Sequence, residues 1–446
     1  MKLAIAVRQS ILPLARRFDY MEEVAMLNIS ENAFRDYIFN NHREDFSSLI
    51  AGRREPVEWY GEEFPPLHFL LRRKVERAIN EILDQLEELV LTAKELRLEK
   101  NGTHPTRVDL FGCSESTGIT IIELKKSQQT ERQAFTELLA YANHFCSIFP
   151  GVNETAITSV LVAPMETRTV KDAYVQELLL NKKNIVSLIP SCQDGRYCLN
   201  VFYPDENYYK WFENNVFNDH SMTCVTMSFP LIKGWIDSEY SEPPQYAKDA
   251  LNQISNSIAQ VLESKGFHSI VYASQKWSEI AGLFPYPNMI VVAATNPFSS
   301  VRTYAEDDEI GGRSAPGRLT EVQSIYNQLT KDGQRFNWLE TMESDFTGRL
   351  IRAVRDQLEF CLLNDSRSIH VETGLPDWYG FKTSMVDAVF THNLEAHTTG
   401  LLREVYTEYV CYLYETGQQE VMFGYQMLTP FLAVWEICRG FGYESE

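Results

Sequence analysis

Apolar and polar residues alternate along the first part of the chain with the spacing of two helices. Behind Ser30, a candidate N-cap, the apolar residues Phe34, Ile38 and Phe46 recur at helical intervals and predict an amphipathic helix. In FLLRRKVERAINEILDQLEELV, the apolar residues from Val75 onward recur every three or four positions. This second pattern predicts a longer helix.

After the second predicted helix, the sequence changes to short segments that contain β-branched residues and lack helical spacing. KELRLEKNG, RVDLFGCSESTG and ITIIELKK are separated by an Asn-Gly pair and by a Ser/Gly-rich turn, so three consecutive strands are predicted. After them, the spacing predicts a helix in RQAFTELLAYANHFCSIF, a strand in AITSVLVAP, a helix in VKDAYVQELLLNKK and a strand in NIVSLIP. This order is typical of an α/β fold in which helices flank a mixed central sheet.

A polar, proline-containing stretch, DSEYSEPPQYAKD at about 237–249, has the composition of a linker between domains. A chain of 446 residues also exceeds what one hydrophobic core usually organises. We therefore predict two domains, residues 1–240 and residues 248–446.

The predicted C-terminal domain mixes helices and strands and then becomes mostly helical. LNQISNSIAQVLESKGF is predicted as a helix, SIVYAS and NMIVVAATNPF as strands, and AEDDEIGGRSAPG as an acidic loop. Farther on, steps of four predict a helix with a buried face, formed by Phe346, Leu350, Val354 and Leu358. No catalytic motif is recognisable in this half.

Cysteine usage and hydropathy bear on the compartment. The eight cysteines are scattered without a CxxC pair, as in proteins of a reducing cytoplasm. Cys192 and Cys198 bracket QDGRY and are predicted to be ordinary thiols of a hairpin. No segment has the roughly eighteen apolar residues of a membrane helix, and the first residues lack a signal-peptide cleavage site. We expect a cytoplasmic protein with no membrane partner.

The formal net charge of -20 opposes non-specific binding to nucleic acid, because such binding depends on Lys and Arg neutralising phosphates. Short basic clusters could still form a local phosphate-binding face, although most such clusters are solvated surface. They are Arg53-Arg54, Arg72-Arg73-Lys74, Lys125-Lys126 and Lys182-Lys183.

Two charged residues interrupt the apolar run ITIIELKK. Glu123 and Lys125 are two positions apart, so on a strand they project from the same face, where an unpaired charge would cost several kcal/mol. Asp109 lies on the preceding strand, and the turn at 114–118 would fold that strand back and bring its carboxylate beside Glu123. Two carboxylates would then share one site.

Neighbouring carboxylates are unfavourable unless a cation neutralises them, and hard oxygen ligands suit Mg²⁺ or Mn²⁺ better than zinc. The carbonyl oxygen of Leu124 could be a further ligand. A metal bound by Asp109 and Glu123 could activate a water molecule for phosphodiester hydrolysis, with Lys125 positioning that water or stabilising the transition state. The alternative is a surface hairpin with an ordinary Glu-Lys pair and an unrelated Asp.

Asp109, a turn and then Glu123-Leu124-Lys125 resemble the D…ExK signature of the PD-(D/E)XK, or restriction-endonuclease-like, nuclease superfamily. The predicted element order, a helix, three strands, a helix and a strand, is similar to the core of that family. The resemblance covers about residues 30–190, and Pro105 precedes Asp109 by four positions instead of one. It implies a metal-dependent endonuclease domain with a restriction-endonuclease-like core.

The resemblance also suggests supporting residues on the helices. The family's second core helix often presents a Gln or Tyr to the site, which here would be Gln133 or Tyr141, although Glu137 stands where many relatives have Gln. A structural helix face is an equal alternative. A Glu on the first core helix often completes the metal shell, and Glu31 and Glu76 compete for that place, with Glu31 preferred.

We expect from this resemblance a Mg²⁺-dependent or Mn²⁺-dependent deoxyribonuclease that acts in defence against foreign DNA or in DNA repair. RNA stays an alternative substrate. The C-terminal region would sense a signal, select the substrate or form a homo-oligomer, and an activating partner protein is a further expectation. A catalytically silent nuclease fold, used as a binding or scaffold module, is the competing hypothesis.

Overall fold

A computed structural model of the chain contains a mixed sheet of seven strands. These are β1 (Ile50–Ala51), β2 (Val90–Leu98), β3 (Thr106–Ser114), β4 (Gly118–Leu124), β5 (Ile157–Val162), β6 (Ile185–Gln193) and β7 (Arg196–Val201). The sheet order is β1-β7-β6-β5-β4-β3-β2. β2, β3 and β4 form an antiparallel meander, β4, β5 and β6 run parallel, and β7 returns antiparallel to β6.

The structure describes residues 29–59, 65–98, 106–115, 118–153, 156–193, 195–230, 244–275, 286–299, 338–362, 369–390 and 392–416, with single residues between 321 and 328 and between 434 and 441. Its contacts divide the chain into two compact units. The first unit comprises Met1–Arg53, Glu81–Tyr174 and Lys183–Phe202, and the second comprises Arg54–Asn80, Val175–Lys182 and Tyr203–Glu446.

The first predicted helix forms but is shorter than predicted, because it ends at Asn41 and Phe46 begins a separate 3-10 helix, Phe46–Leu49. Helix α1 (Glu31–Asn41) begins behind Ser30, whose hydroxyl accepts a hydrogen bond from the backbone N–H of Ala33. Its apolar residues Phe34 and Ile38 are buried. The remaining helices up to the end of the first sheet are α2 (Leu67–Leu86), whose residues are divided between the units, α3 (Gln128–Ile148) and α4 (Arg168–Gln176), which a π-helical turn (Glu177–Asn181) follows.

The middle of the first sheet is buried on both faces. All six residues of β5 are buried, because β5 lies between β4 and β6, and four residues of its sequence ITSVLV are apolar. Helix α3 packs on β4 and β5. Polar groups on these central strands are therefore removed from water, which is the setting of the candidate site.

The second unit is built on an antiparallel sheet of five strands. Its strands are β8 (Met222–Phe229), β9 (Ser269–Gln275), β10 (Asn288–Thr295), β11 (His370–Thr373) and β12 (Ala396–Thr398), in the order β11-β8-β10-β9-β12. Its further helices are α5 (Glu206–Val216), α6 (Gln245–Ser264), α7 (Trp338–Cys361), α8 (Trp378–Phe390) and α9 (Leu401–Glu415). Phe346, Leu350, Val354 and Leu358 of α7 are buried in one hydrophobic core with α6 and the sheet, as their spacing predicts.

The predicted fold class is confirmed: a mixed sheet flanked by helices precedes a second α/β part that is rich in helices.

The predicted linker lies outside the described residues up to position 243, and its end forms the start of α6. Strand β8, which precedes the predicted boundary, belongs to the second sheet. The predicted acidic loop also lies outside the described residues. Among the helices that the structure describes, none combines the length and apolar character needed to cross a membrane.

Candidate active site

The hairpin of β3 and β4 brings Asp109 and Glu123 to one place in the sheet. Leu110 pairs with Ile122, so Asp109 and Glu123 are the next residues along the two strands. The Asp109 carboxylate accepts a hydrogen bond from the backbone N–H of Leu124 through Oδ2, at 3.0 Å. This bond fixes the Asp109 side chain against β4 and confirms the predicted fold-back of the two strands.

Lys125 follows the last residue of β4 and is held from two sides. Its backbone N–H donates to the carbonyl oxygen of Val162 on β5, at 2.8 Å. Its ammonium group lies 2.7 Å from Oε1 of Glu123, 3.3 Å from Glu137 on α3 and 3.8 Å from Glu31 on α1. Burial lowers the pKa of Lys125, but the surrounding carboxylates, Glu123 first, raise this pKa by more, so Lys125 stays charged.

Glu123 is the most deeply buried carboxylate of the group, with 2% of its surface exposed. Burial and, after it, the Asp109 charge raise the pKa of Glu123 to about 9, despite the opposing effect of Lys125. Glu137 raises it further, because a protonated Glu123 can donate to that carboxylate. Among the described residues no hydrogen-bond donor reaches Oε2 of Glu123. A buried carboxylate oxygen without a donor is uncommon, so an ionised Glu123 would leave Oε2 open to a cation.

Gln133 and Tyr141, the two residues of α3 predicted to support the site, make different contacts. Gln133 donates to Oε1 of Glu137 at 2.8 Å and so supports the carboxylate that contacts Lys125. The hydroxyl of Tyr141 donates to the backbone carbonyl of Arg107 at 2.8 Å, which joins α3 to β3. Burial raises the pKa of Tyr141. Glu137 is thus a direct neighbour of Lys125, although the family resemblance did not carry it over.

The two candidate glutamates of the first helices have different surroundings. Glu31 lies beside Lys125, and burial followed by the Asp109 charge raises its pKa although Lys125 lowers it. Glu76 on α2 accepts hydrogen bonds from the backbone N–H of Val57 at 3.0 Å and from Nε of Arg72 at 2.8 Å. Both oxygens of Glu76 therefore have structural partners, whereas Glu31 belongs to the cluster around Lys125.

Arg35 and Glu95 were not predicted. Arg35 lies one helical turn after Glu31, and its guanidinium contacts Asp109 Oδ1 at 3.3 Å and Glu95 Oε1 at 3.2 Å. Glu95 on β2 has a φ of +49°, a conformation that residues other than glycine seldom adopt. The four-residue step from Glu31 to Arg35 is a sequence signal that places both on one helix face.

Several of the basic clusters have carboxylate partners. Arg53 pairs with Asp84, and Arg73 pairs with Glu408 at 2.9 Å. Lys126, the neighbour of Lys125, is exposed. A continuous phosphate-binding face therefore does not follow from these clusters within the described residues.

The donor set of the cluster fits a hard divalent cation. Asp109 and Glu123 offer carboxylate oxygens beside each other, and Oε2 of Glu123 has no donor among the described residues. No group of three or more His, Cys, Asp or Glu residues in the described part of the chain is arranged to hold a metal ion. Mg²⁺ commonly uses one or two protein carboxylates and keeps several water ligands, so two carboxylates are sufficient for it.

Comparison with models of protein families, with characterised proteins and with solved structures gave no match for this chain. The likeness to PD-(D/E)XK nucleases therefore depends on Asp109, Glu123 and Lys125 and on the order of the surrounding elements.

Proposed function

We propose that this chain is a metal-dependent endonuclease of the PD-(D/E)XK type that hydrolyses phosphodiester bonds of DNA. The observation that carries this proposal is the buried Glu123 carboxylate, which lies between Asp109 and Lys125 and has one oxygen that no donor reaches among the described residues. A buried polar oxygen without a hydrogen-bond partner is costly, so buried carboxylates that serve the fold usually have donors for both oxygens. Glu76 is such a structural carboxylate.

Asp109 and Glu123 would hold Mg²⁺ or Mn²⁺. The bound ion would lower the pKa of a water molecule and neutralise charge that develops on the phosphodiester. Leu124 contributes its N–H, which orients the Asp109 carboxylate. The carbonyl of Leu124 stays a predicted ligand.

Lys125 would place its ammonium group next to the reacting phosphate or the attacking water. Its charge is retained at neutral pH because the neighbouring carboxylates raise its pKa. The contacts with Glu123 and Glu137 restrict the side chain to one position, so little reorganisation is needed during the reaction. Gln133 supports that arrangement through Glu137.

The biological setting follows from the resemblance alone. Defence against foreign DNA and DNA repair are the roles we propose for such an enzyme, with the second unit selecting the substrate, sensing a signal or forming an oligomer. The net charge of -20 is compatible with an enzyme that stays inactive until an activating partner or assembly brings DNA to the site.

The test is cleavage of circular and linear double-stranded DNA, single-stranded DNA and RNA with Mg²⁺ or Mn²⁺. Asp109→Asn, Glu123→Gln and Lys125→Met should each lower the rate at least about 100-fold, the size of effect typical of an essential electrostatic group. The control is Asp36→Asn, which changes an exposed carboxylate of α1 that pairs with Lys94. This control should cleave like the wild type.

A second candidate function is a catalytically silent nuclease fold that serves as a scaffold. The ion pairs of Asp109 with Arg35 and of Glu123 with Lys125 favour it, because they form an internal salt-bridge network. Calorimetry with Mn²⁺ separates the two hypotheses if no substrate is cleaved. Binding that Asp109→Ala abolishes would indicate an enzyme without its activator, and absence of binding would favour the scaffold.

A further inference from the structure

The guanidinium of Arg35 contacts the carboxylate of Asp109, which is also a proposed metal ligand. Its Nη1 lies 3.3 Å from Oδ1 of Asp109, while the N–H of Leu124 donates to Oδ2 at 3.0 Å. Both oxygens of Asp109 are therefore engaged. A divalent cation that binds Asp109 meets a guanidinium of the same sign of charge, so the two compete for this side chain.

The contacts of Arg35 are long for charged groups. Hydrogen bonds between a cationic nitrogen and a carboxylate usually measure about 2.7–2.9 Å. Those of Arg35 measure 3.3 Å to Asp109 and 3.2 Å to Glu95, and its buried Nε has no hydrogen-bond partner among the described residues. The buried guanidinium therefore contacts Asp109 and Glu95 at the long end of the hydrogen-bond range.

Glu95 provides a second position for the guanidinium. The ladder between β2 and β3 pairs Lys94 with Leu110 and Leu96 with Val108, and Glu95 between them has the left-handed φ of +49°. This conformation accompanies the contact of the Glu95 carboxylate with Nη2 of Arg35. Because Glu95 is half-exposed, it can keep a charged partner in contact with water.

We propose that Arg35 is a latch on the metal site: it holds Asp109 in the metal-free protein and shifts fully onto Glu95 when a divalent cation binds. This inference depends on the proposed function, because it assumes that the cation binds at Asp109. The latch sets the cation concentration at which the site becomes loaded. It also explains why the first helix carries a buried arginine next to a cluster that already contains Lys125.

The test is Mn²⁺ affinity, measured by calorimetry on the full chain. Arg35→Met keeps the length and apolar stem of the buried side chain but removes the competing charge, so Mn²⁺ should bind at least about tenfold more tightly than in the wild type. Arg107→Gln is the matched control, since Arg107 also faces Glu95, at 3.6 Å, and loses the same charge. Its affinity should stay within about twofold of the wild type.

A double-mutant cycle separates the latch from general electrostatics. Glu95→Gln removes the second position of Arg35 and should weaken Mn²⁺ binding in the wild-type background, but it should have little effect in the Arg35→Met background. Glu95 is half-exposed, so this variant is expected to fold. If Arg35→Met unfolds, Arg35→Gln replaces it in the cycle, because glutamine also removes the competing charge and keeps a polar group at the position.

Additive effects in the cycle, or an Arg35→Met affinity equal to or weaker than that of the wild type, would overturn the latch while leaving the metal site intact. Mn²⁺ binding by Arg35→Met but not by the wild type would support it most strongly. If neither protein binds Mn²⁺, both the latch and the proposed metal-dependent function are refuted.

Discussion

Replacing Glu123 by glutamine should stabilise the metal-free protein at alkaline pH. Glu123 is buried, and burial together with the Asp109 charge raises its pKa to about 9, from an ordinary value of 4.5. In the unfolded chain this carboxyl loses its proton near pH 4.5, whereas in the folded chain it keeps the proton until about pH 9. Glutamine is neutral at every pH and still offers an oxygen to Lys125.

The direction in which the free energy of unfolding changes with pH follows from the raised pKa of Glu123. A group whose pKa is higher in the folded state contributes its full stability below the unfolded value and loses it as the pH rises through the folded value. Each pH unit within that window lowers the free energy of unfolding by about 1.4 kcal/mol for one proton. From pH 5.5 to 8.5, the wild type should therefore lose about 4 kcal/mol that Glu123→Gln retains.

Urea unfolding of both proteins at pH 5.5 and at pH 8.5, with a chelator present, measures this difference. Glu76→Gln is the matched control, because it also removes a buried glutamate charge but breaks the ion pair with Arg72. This control should be less stable than the wild type at pH 8.5, the opposite direction from Glu123→Gln. If the stability difference between Glu123→Gln and the wild type is the same at both pH values, Glu123 is not an uncompensated carboxylate and the reasoning fails.

Two further substitutions test the assigned structural roles. Tyr141→Phe removes the hydrogen bond to the Arg107 carbonyl and should lower the free energy of thermal unfolding by about 1 kcal/mol. The rate of DNA cleavage should not change. A tenfold loss of cleavage would instead assign Tyr141 to the active site. Gly400→Ala should destabilise the second unit by more than about 2 kcal/mol in urea unfolding. Gly400 has a φ of +59°, which strains an alanine, and the added Cβ would clash with His268 and lie 2.9 Å from the carbonyl oxygen of Phe267. Wild-type stability of this variant would contradict the described backbone.

Local patterns were sufficient to predict most helices and strands. The Ser30 cap, the steps of four in α7 and the apolar run of β5 each determine their own element, since capping, helical spacing and burial on both faces are read over a few residues. Strand β8 was not predicted. Its partners β10 and β11 lie far along the chain, and its own sequence, MTCVTMSF, has no strict alternation.

Only the part of the candidate site that lies on one hairpin could be predicted from the sequence. Asp109 and Glu123 lie on neighbouring strands and Lys125 directly follows the second of them, so the turn between the strands is enough to bring the three residues together. Arg35 reaches Asp109 from a helix 74 positions earlier in the sequence, and no local pattern specifies that contact. The sequence preferred Glu31 to Glu76 but left both open, because the choice depends on where each helix packs; the structure places Glu31 beside Lys125.

The balance of charge distinguishes the candidate site from a structural ion cluster of the same protein. In the second unit, two arginines face two carboxylates, and the charges cancel; these residues are Arg73, Arg77, Glu408 and Glu415. The first unit gathers five carboxylates around three cations, which are Glu31, Glu95, Asp109, Glu123 and Glu137 with Arg35, Arg107 and Lys125. Full ionisation would leave an excess of two negative charges. Burial is the main cause of the raised pKa values of Glu31 and Glu123, and the Asp109 charge raises both further. One divalent cation would neutralise the excess of negative charge.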